Sequence, residues 1–439
     1  MATPSVPLVP RRRPLTAGIL ALGVVGAGAL AACAPSSDGS GGGATAGGQS
    51  LTVWSWRTED VAAYNEIFDV FEKANPGVTV DFKAYKNTEY NQVLTTGLSG
   101  SGGPDVAQVR SYGLLQPNVA AKQLVPLDAH VDLAAWDPAI VASAKGKADG
   151  KLYSVPLARQ TIQMFYNKEI FAANNLKPPT TWAQFVTLNE TLKASGVTPM
   201  AVGGKDSWTL PIVHEALAAP RFGADAFAKA VVAGDKTFTD KDWVASTQVL
   251  SDLKGFMPDN VVGVAYTDAQ ILFASGKAAM FPGGSFELGF FAKQNPSLQL
   301  GTFEVPPPTG SPAMTTTTPS YADGAFAVSA KSATQDTALK LVQWTATKEF
   351  GQLVADKLKQ ISAVPGVTSA DPNLAEMATR GESNGSPYLL LTDFRYGAPS
   401  GVEVFGTGVQ ELLLGTKTAQ QVGQDLQTGI SQWFTPAKG

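Results

Sequence analysis

"LTVWSWRTEDVAAYNEIFDVFEKANPGVTVDF", residues 51–82, changes its hydrophobic period twice. Leu51 to Trp56 is a short apolar and aromatic run and reads as a strand. From Thr58 to Ala74, residues Val61, Tyr64, Phe68 and Phe71 share one helical face, and Asn75-Pro76-Gly77 stops the helix. Val78 to Phe82 returns to strand. Further on, the pattern predicts a helix from about Glu89 to Leu98, a loop "SGSGGP" and a third strand "DVAQV", residues 105–109. Strand, helix, strand, helix, strand implies an α/β fold with a mostly parallel sheet.

Ligands of such sheets bind beyond the carboxyl ends of the strands. Trp56, Arg57 and Thr58 follow the first strand there, and Arg110, Ser111 and Tyr112 follow the third. Each set joins an aromatic face to hydrogen-bonding groups. That combination suits a sugar ring, whose C–H face packs on an aromatic while its hydroxyls are satisfied at the edges.

The 439 residues carry 33 Lys+Arg against 37 Asp+Glu, a formal net charge of −4, with no basic run after Arg13. Nucleic acid is therefore excluded as a partner. At 44% hydrophobic residues the chain can bury a sizeable core, and its length exceeds what one core supports, so two domains are expected. The only histidines are His130 and His214, and there is one cysteine, which removes a His/Cys zinc site. No phosphate-binding G-x-x-x-x-G-K-[ST] loop and no G-x-S-x-G elbow occurs, and "GGSFELG", residues 283–289, has the wrong spacing for the latter. His214, in "LPIVHEALA", lies on an apolar helical pattern and reads as packed. No cofactor and no metal are expected.

The cysteine, Cys33, has its own context. Arg11, Arg12 and Arg13 precede an uncharged apolar stretch from Leu15 to Ala32, which reads as a cleaved signal over residues 1–32. "LAAC" resembles the lipobox of bacterial lipoproteins, in which the cysteine is acylated and becomes the first residue. Each buried methylene of an acyl chain adds about 0.8 kcal/mol of membrane affinity, and two chains hold firmly. The Gly/Ser-rich stretch that completes residues 33–50 reads as a flexible leash. "RRRPL" weakly resembles a twin-arginine signal, and Sec and Tat export both stay open. The expected location is extracytoplasmic, lipid-anchored to the cell membrane.

Residues 150–185, "GKLYSVPLARQTIQMFYNKEIFAANNLKPPTTWAQF", mark a change of architecture. "LYSVPL" and "IQMFYN" read as two extended runs joined near Ala158 to Thr161, followed by an amphipathic helix on Trp182, Phe185, Leu188 and Leu192. Here the chain resembles the family 1 extracellular solute-binding proteins of bacterial ABC importers. Four stretches carry the resemblance in order: "SGGPDVAQV", "LYSVPLARQTIQMFYNKEIF", "FASGKAAMFPGGSF" and "LLGTKTAQQVGQDLQ".

The resemblance implies a hinged two-lobe periplasmic-binding-protein fold of type II-like topology, each lobe a mostly parallel sheet flanked by helices, with ligand held between the lobes. The hinge crossings would fall near Ala158–Thr161, Ala322–Ala325 and Val364–Gly366. The first lobe would comprise 51–158 and 326–365, the second 159–325 and 366–439. The resemblance also implies site residues. Gln160 stands where the maltose binder has a sugar-contacting glutamate, and Phe286 stands where it stacks a tryptophan. Asp206 and Trp208, in "GGKDSW", lie where sugar-binding relatives contact ligand. Asp323 adjoins a hinge glycine, and Arg395 and Tyr396 sit in a polar, aromatic loop. The tryptophan that relatives carry after the third strand is absent, so the named sugar of the maltose binder does not transfer.

The function implied is capture of a sugar and its delivery to permease subunits by a monomeric, non-catalytic protein. Two alternatives stand beside it. A polyol or glycerol-phosphate-type solute would use Arg57, Arg110 and Arg395. A secreted glycoside hydrolase would need two opposed carboxylates, from candidates such as Asp206, Glu287 and Asp323.

Overall fold

A computed structural model describes residues 48–437. The signal, Cys33 and most of the leash lie outside the described residues. The strand read at residues 51–56 is β1, Gln49–Ser55, and the two after it are β2, Val78–Ala84, and β3, Val106–Val109. Helix α1, Val61–Ala74, buries Tyr64, Ile67, Phe68 and Phe71 against the sheet. The expected first turn of that helix, Thr58–Asp60, is a separate 3-10 turn. Helix α2, Tyr90–Ser99, follows β2.

β1 lies parallel between β2 and β3, as the strand and helix alternation requires. The centre of the molecule is antiparallel. The two extended runs expected around Ala158 are a single strand, β4, Val155–Asn167. Its first half pairs antiparallel with β8, Thr318–Val328. Its second half lies between β6, Ala278–Gly284, and β7, Leu300–Phe303, antiparallel to both. The ladder never lapses at the junction, because new partners take over as β8 departs, so no break in the strand is needed. β5, Thr198–Met200, pairs parallel with β6, and β9, Gly385–Pro387, pairs parallel with β8.

β4 thus runs from one sheet region into the other, and β8 accompanies its first half, with Ala158 opposite Asp323 and Arg159 opposite Ala322. A third segment joins them. Ser362 bridges Ala158, the Arg159 N–H donates to the Ile361 carbonyl at 2.9 Å, and the Ala363 N–H donates to the Leu157 carbonyl at 3.0 Å. In β8, Gly324 has φ +70°, and a Cβ there would meet Trp56, Gln108 and Leu157 at 3.2 to 3.4 Å. Only glycine takes that conformation without strain.

Two further helices, Gln335–Trp344 and Lys348–Lys357, pack on the first region, and those that follow cover the second. Helix α3, Trp182–Ala194, begins with a capping box between Thr181 and Gln184. Helices α4, Thr209–Phe222, and α5, Lys241–Asp252, enclose an aromatic nucleus around Trp243. His214 belongs to that nucleus. Its ring stacks on Phe222 at 5.5 Å and meets Trp243 and Phe405 edge-on, while Nε2 lies 2.9 Å from Ser246 Oγ. Burial pushes its pKa down to about 3, so it packs as a neutral ring. Helix α6, Tyr266–Ala274, precedes β6, and α7, Glu287–Gln294, follows it. Helices α8, Gly401–Leu414, and α9, Ala419–Ile430, each bury an apolar face at helical spacing: Val402, Phe405, Val409 and Leu412, then Val422, Leu426 and Ile430. Among the described residues no helix is long and apolar enough to cross a membrane.

One close approach joins the loop after β3 to the C-terminal segment. A Cβ on Gly113 would overlap the carbonyl of Arg395 and reach the Tyr396 nitrogen. Backbone cannot swing aside as a side chain can. Gly113→Ala is expected to destabilise the fold by about 1–3 kcal/mol, the usual cost of overpacking, measured by urea unfolding. Unchanged stability would show that residues 395–396 yield freely.

Candidate ligand-binding cavity

A cavity of about 410 Å³ opens beyond the carboxyl ends of β1, β2 and β3 and over the middle of β8. Trp56, Asn87 and Arg110 line it from the first sheet region, and Tyr321 and Asp323 line it from β8. The opposite wall is Trp208 at the head of α4, Tyr266 at the head of α6 and Phe286 just before α7. Tyr388, Arg395 and the first turn of α8 close the remaining side.

The first wall is built on Trp56, which is 2% exposed and packs on Tyr90 at 5.6 Å. The Arg110 guanidinium lies 4.1 Å over the indole, so this aromatic face already carries a cation. Arg110 Nη2 also donates to Asn87 Oδ1 at 2.6 Å. Burial lowers the Arg110 pKa to about 10, with Asp323 opposing and Arg395 reinforcing the effect. Arg57 is occupied differently. It pairs with Glu59 at 3.1 Å and Asp60 at 2.7 Å, and its N–H donates to Ser55 Oγ.

The floor combines charges that are not joined in this way. Among the described residues neither Asp323 nor Arg395 makes a salt bridge within 4.0 Å, and burial presses the Arg395 pKa down against the opposing charge of Asp323. Both groups face the cavity with hydrogen-bonding capacity to spare.

The second wall is aromatic. Trp208 and Tyr266 meet edge-to-face with centroids 4.8 Å apart. Phe286 is 7% exposed. Behind them Glu287, 1% exposed, accepts from the Tyr266 hydroxyl at 2.8 Å and from Gln270 at 2.6 Å. Burial pushes the Glu287 pKa up to about 7, against both hydrogen bonds and Arg57.

Of the residues expected at the site, the structure brings Trp56, Arg57, Arg110, Trp208, Phe286, Asp323 and Arg395 together around one cavity. The other five lie behind its walls. Ser111 is buried, its hydroxyl without a partner among the described residues. Tyr112 is a brace: its backbone has φ +60° and its phenol oxygen accepts from the Ala322 N–H at 3.0 Å. Gln160 is fully buried, donating to Gln360 at 3.0 Å and accepting from Ser285 at 2.6 Å. Asp206 accepts from the Tyr266 N–H at 2.8 Å. Glu287 sits beneath Tyr266 as described. Tyr396 is also off the cavity, with the Lys147 ammonium 4.2 Å over its ring.

Several lining residues carried signals that the sequence reading passed over. Asn87, Thr88 and Asn91 follow β2, so the strand-end rule covers them as it covers Trp56 and Arg110. Tyr321 lies two residues before Asp323 on one strand and therefore shares its face. Tyr266 and Tyr388 had no local signal. No cluster of potential metal ligands occurs among the described residues.

Comparison with known proteins bears on this geometry. The sequence profile of the bacterial extracellular solute-binding proteins matches residues 54–352. The multiple sugar-binding protein of Streptococcus mutans is 30% identical over 301 residues, which span 66% of this chain and 68% of that protein. The mannitol-binding protein of Pseudomonas aeruginosa is 24% identical over 351 residues, 76% of this chain and 77% of that one. A solved bacterial solute receptor, described as preferring β-D-galactopyranose, superposes with a TM-score of 0.76 at 20% identity, covering 89% of this chain and all of the other. That structural likeness concerns the fold.

The Glu287 carboxyl generates a prediction of its own. Between about pH 4.5 and 7 the folded chain holds a proton that the unfolded chain releases, so stability falls as pH rises through that window. The displacement to about 7 corresponds to about 3 kcal/mol. Glu287→Gln cannot ionise, and its loss of stability from pH 5 to pH 8 in urea unfolding is expected to be smaller by about 2.5 kcal/mol, the part of that displacement lying above pH 5. Equal losses in the two proteins would mean that the buried carboxyl is already ionised at pH 5.

Proposed function

The chain belongs to the bacterial extracellular solute-binding proteins, and we propose that its cavity captures a neutral sugar for delivery to the permease subunits of an ABC importer. A protein of this family binds its solute rather than turning it over. The observation that carries the choice of ligand is the pairing of an aromatic wall, Trp208, Tyr266 and Phe286, with a polar floor in which Asp323 feels both Arg110 and Arg395. A sugar offers an apolar face to such a wall. Its vicinal hydroxyls can donate to the carboxylate and accept from the guanidinium groups.

A polyol is the second reading, supported by the mannitol-binding relative. It would use the same polar floor and gain less from the aromatic wall, having no ring face. A phosphate ester fits poorly. Arg57 is neutralised by Glu59 and Asp60, and Asp323 would face the phosphate across the floor.

On this reading the lobes, 51–158 with 326–365 and 159–325 with 366–439, close on ligand about the paired segments at Ala158, Asp323 and Ser362. A ligand drives closure only through contacts that the closed state improves, which requires it to touch both lobes. The protein acts as a monomer tethered through acylated Cys33.

A thermal-shift screen over mono-, di- and trisaccharides and mannitol is expected to find a stabilising ligand, since ligand at a hundred times Kd adds about 2.7 kcal/mol. With that ligand, Trp208→Ala should weaken binding by about 2 kcal/mol, roughly thirtyfold, with little change in ligand-free melting temperature. Small-angle scattering should show a smaller radius of gyration at saturation. Stabilisation by phosphate esters alone would reverse the assignment of ligand class, and an unchanged radius would place the site within one lobe.

The anchor has a separate test. Cys33→Ser should move the protein from the membrane to the soluble fraction and leave its affinity for the same ligand unchanged. Retention of the variant in membranes would exclude the acyl anchor.

A further inference from the structure

Tyr266 is held at both ends. The Asp206 carboxylate accepts its backbone N–H at 2.8 Å, and Glu287 Oε1 accepts its hydroxyl at 2.8 Å. Gln270, one turn along α6, donates to Glu287 Oε2 at 2.6 Å, so both carboxylate oxygens are engaged. The Tyr266 ring stands at 65° to Trp208, and Trp208 is two residues from Asp206. Thr209 fixes that turn by donating to the carbonyls of Gly203 at 2.7 Å and Asp206 at 2.9 Å. The contacts close a ring of restraints around one half-buried tyrosine.

Packing alone does not call for this arrangement. Burying a carboxylate costs several kcal/mol of solvation that hydrogen bonds only partly return, and apolar residues of similar volume would fill the space at less cost. What Glu287 supplies is direction, because its oxygen fixes where the Tyr266 hydroxyl points and hence how the ring is turned. We propose that Glu287 and Asp206 are positioning residues that touch no ligand and hold Tyr266 edge-on to Trp208, so that the two rings form a rigid corner selecting the orientation of a bound sugar. The inference rests on the sugar reading of the cavity.

The charged and titratable groups acting on Glu287 are Tyr266 on α6 and, from the first lobe, Arg57 and Glu59. An ionised Glu287 accepts from both Tyr266 and Gln270. When it gains a proton, one oxygen becomes a donor and one of these partners must turn. The surroundings of Tyr266 therefore titrate with Glu287, whose pKa burial raises to about 7.

The test has two arms on the full chain. In protein labelled with 3-fluorotyrosine, the Tyr266 resonance is the one of ten deleted by Tyr266→Phe. It should shift with pH about a midpoint near 7, and Glu287→Gln, which keeps an acceptor and cannot ionise, should abolish the shift. In calorimetry with whichever saccharide of the screen stabilises most, Tyr266→Phe and Glu287→Leu should each weaken binding about tenfold, the worth of one good hydrogen bond. The double variant should be no weaker than either single one, because both remove the same restraint. A Tyr266 resonance indifferent to pH, or losses that multiply in the double variant, would overturn the proposal. If no saccharide binds, the sugar reading fails, while the fluorine titration still decides whether Glu287 positions Tyr266.

Discussion

The antiparallel pairing of β4 with β8 is the constraint on which the rest depends. Backbone groups buried between two sheet regions must be paired, and this ladder satisfies them while carrying the chain from one region to the other. It also sets the floor of the cavity. Tyr321 and Asp323 face the opening because they alternate with Ala322, whose N–H is taken by Tyr112. The third segment, at Ile361 to Ala363, bonds to the same stretch of β4, and Gln160 links it through Gln360. Gly324 lies within the strand beside Trp56, at a positive φ where any side chain would be strained.

Desolvation then decides which charges are available. A charge removed from water must find a partner or pay in solvation, and the three arginines of the cavity meet that requirement in different ways. Arg57 has two carboxylates and is spent. Arg110 rests on an indole and one amide. Among the described residues Arg395 has no ion pair, and the field of Asp323 only partly offsets its burial, so it gains most from a ligand oxygen. Three residues of one type, called together from the sequence, thus have three different capacities.

Much of the architecture was legible from local pattern. The face of α1 and its stop at Asn75 to Gly77, the strand ends at Trp56 and Arg110, the amphipathic face of α3 and the packed state of His214 all follow from periodicity and residue type, which act over a few residues. The single strand through Ala158 was not legible, because its continuity depends on partners more than a hundred residues away. For the same reason Gln160, Asp206, Tyr112 and Glu287 carry chemistry suited to a ligand while standing behind the wall: polar type predicts hydrogen bonding, and only packing determines with whom.

By itself the sequence determined an α/β chain of solute-binding type, because hydrophobic period and turn residues dictate local structure and motif order identifies the family. It also determined which loops lie at the strand ends. Tertiary structure alone decided that Tyr266 and Tyr388 complete the cavity, that Arg57 is neutralised within it, and that Asp206 and Glu287 grip a tyrosine. Those outcomes depend on distances between segments far apart in the chain, and they are settled by the cost of burying polar groups without partners, a cost that no single stretch of sequence contains.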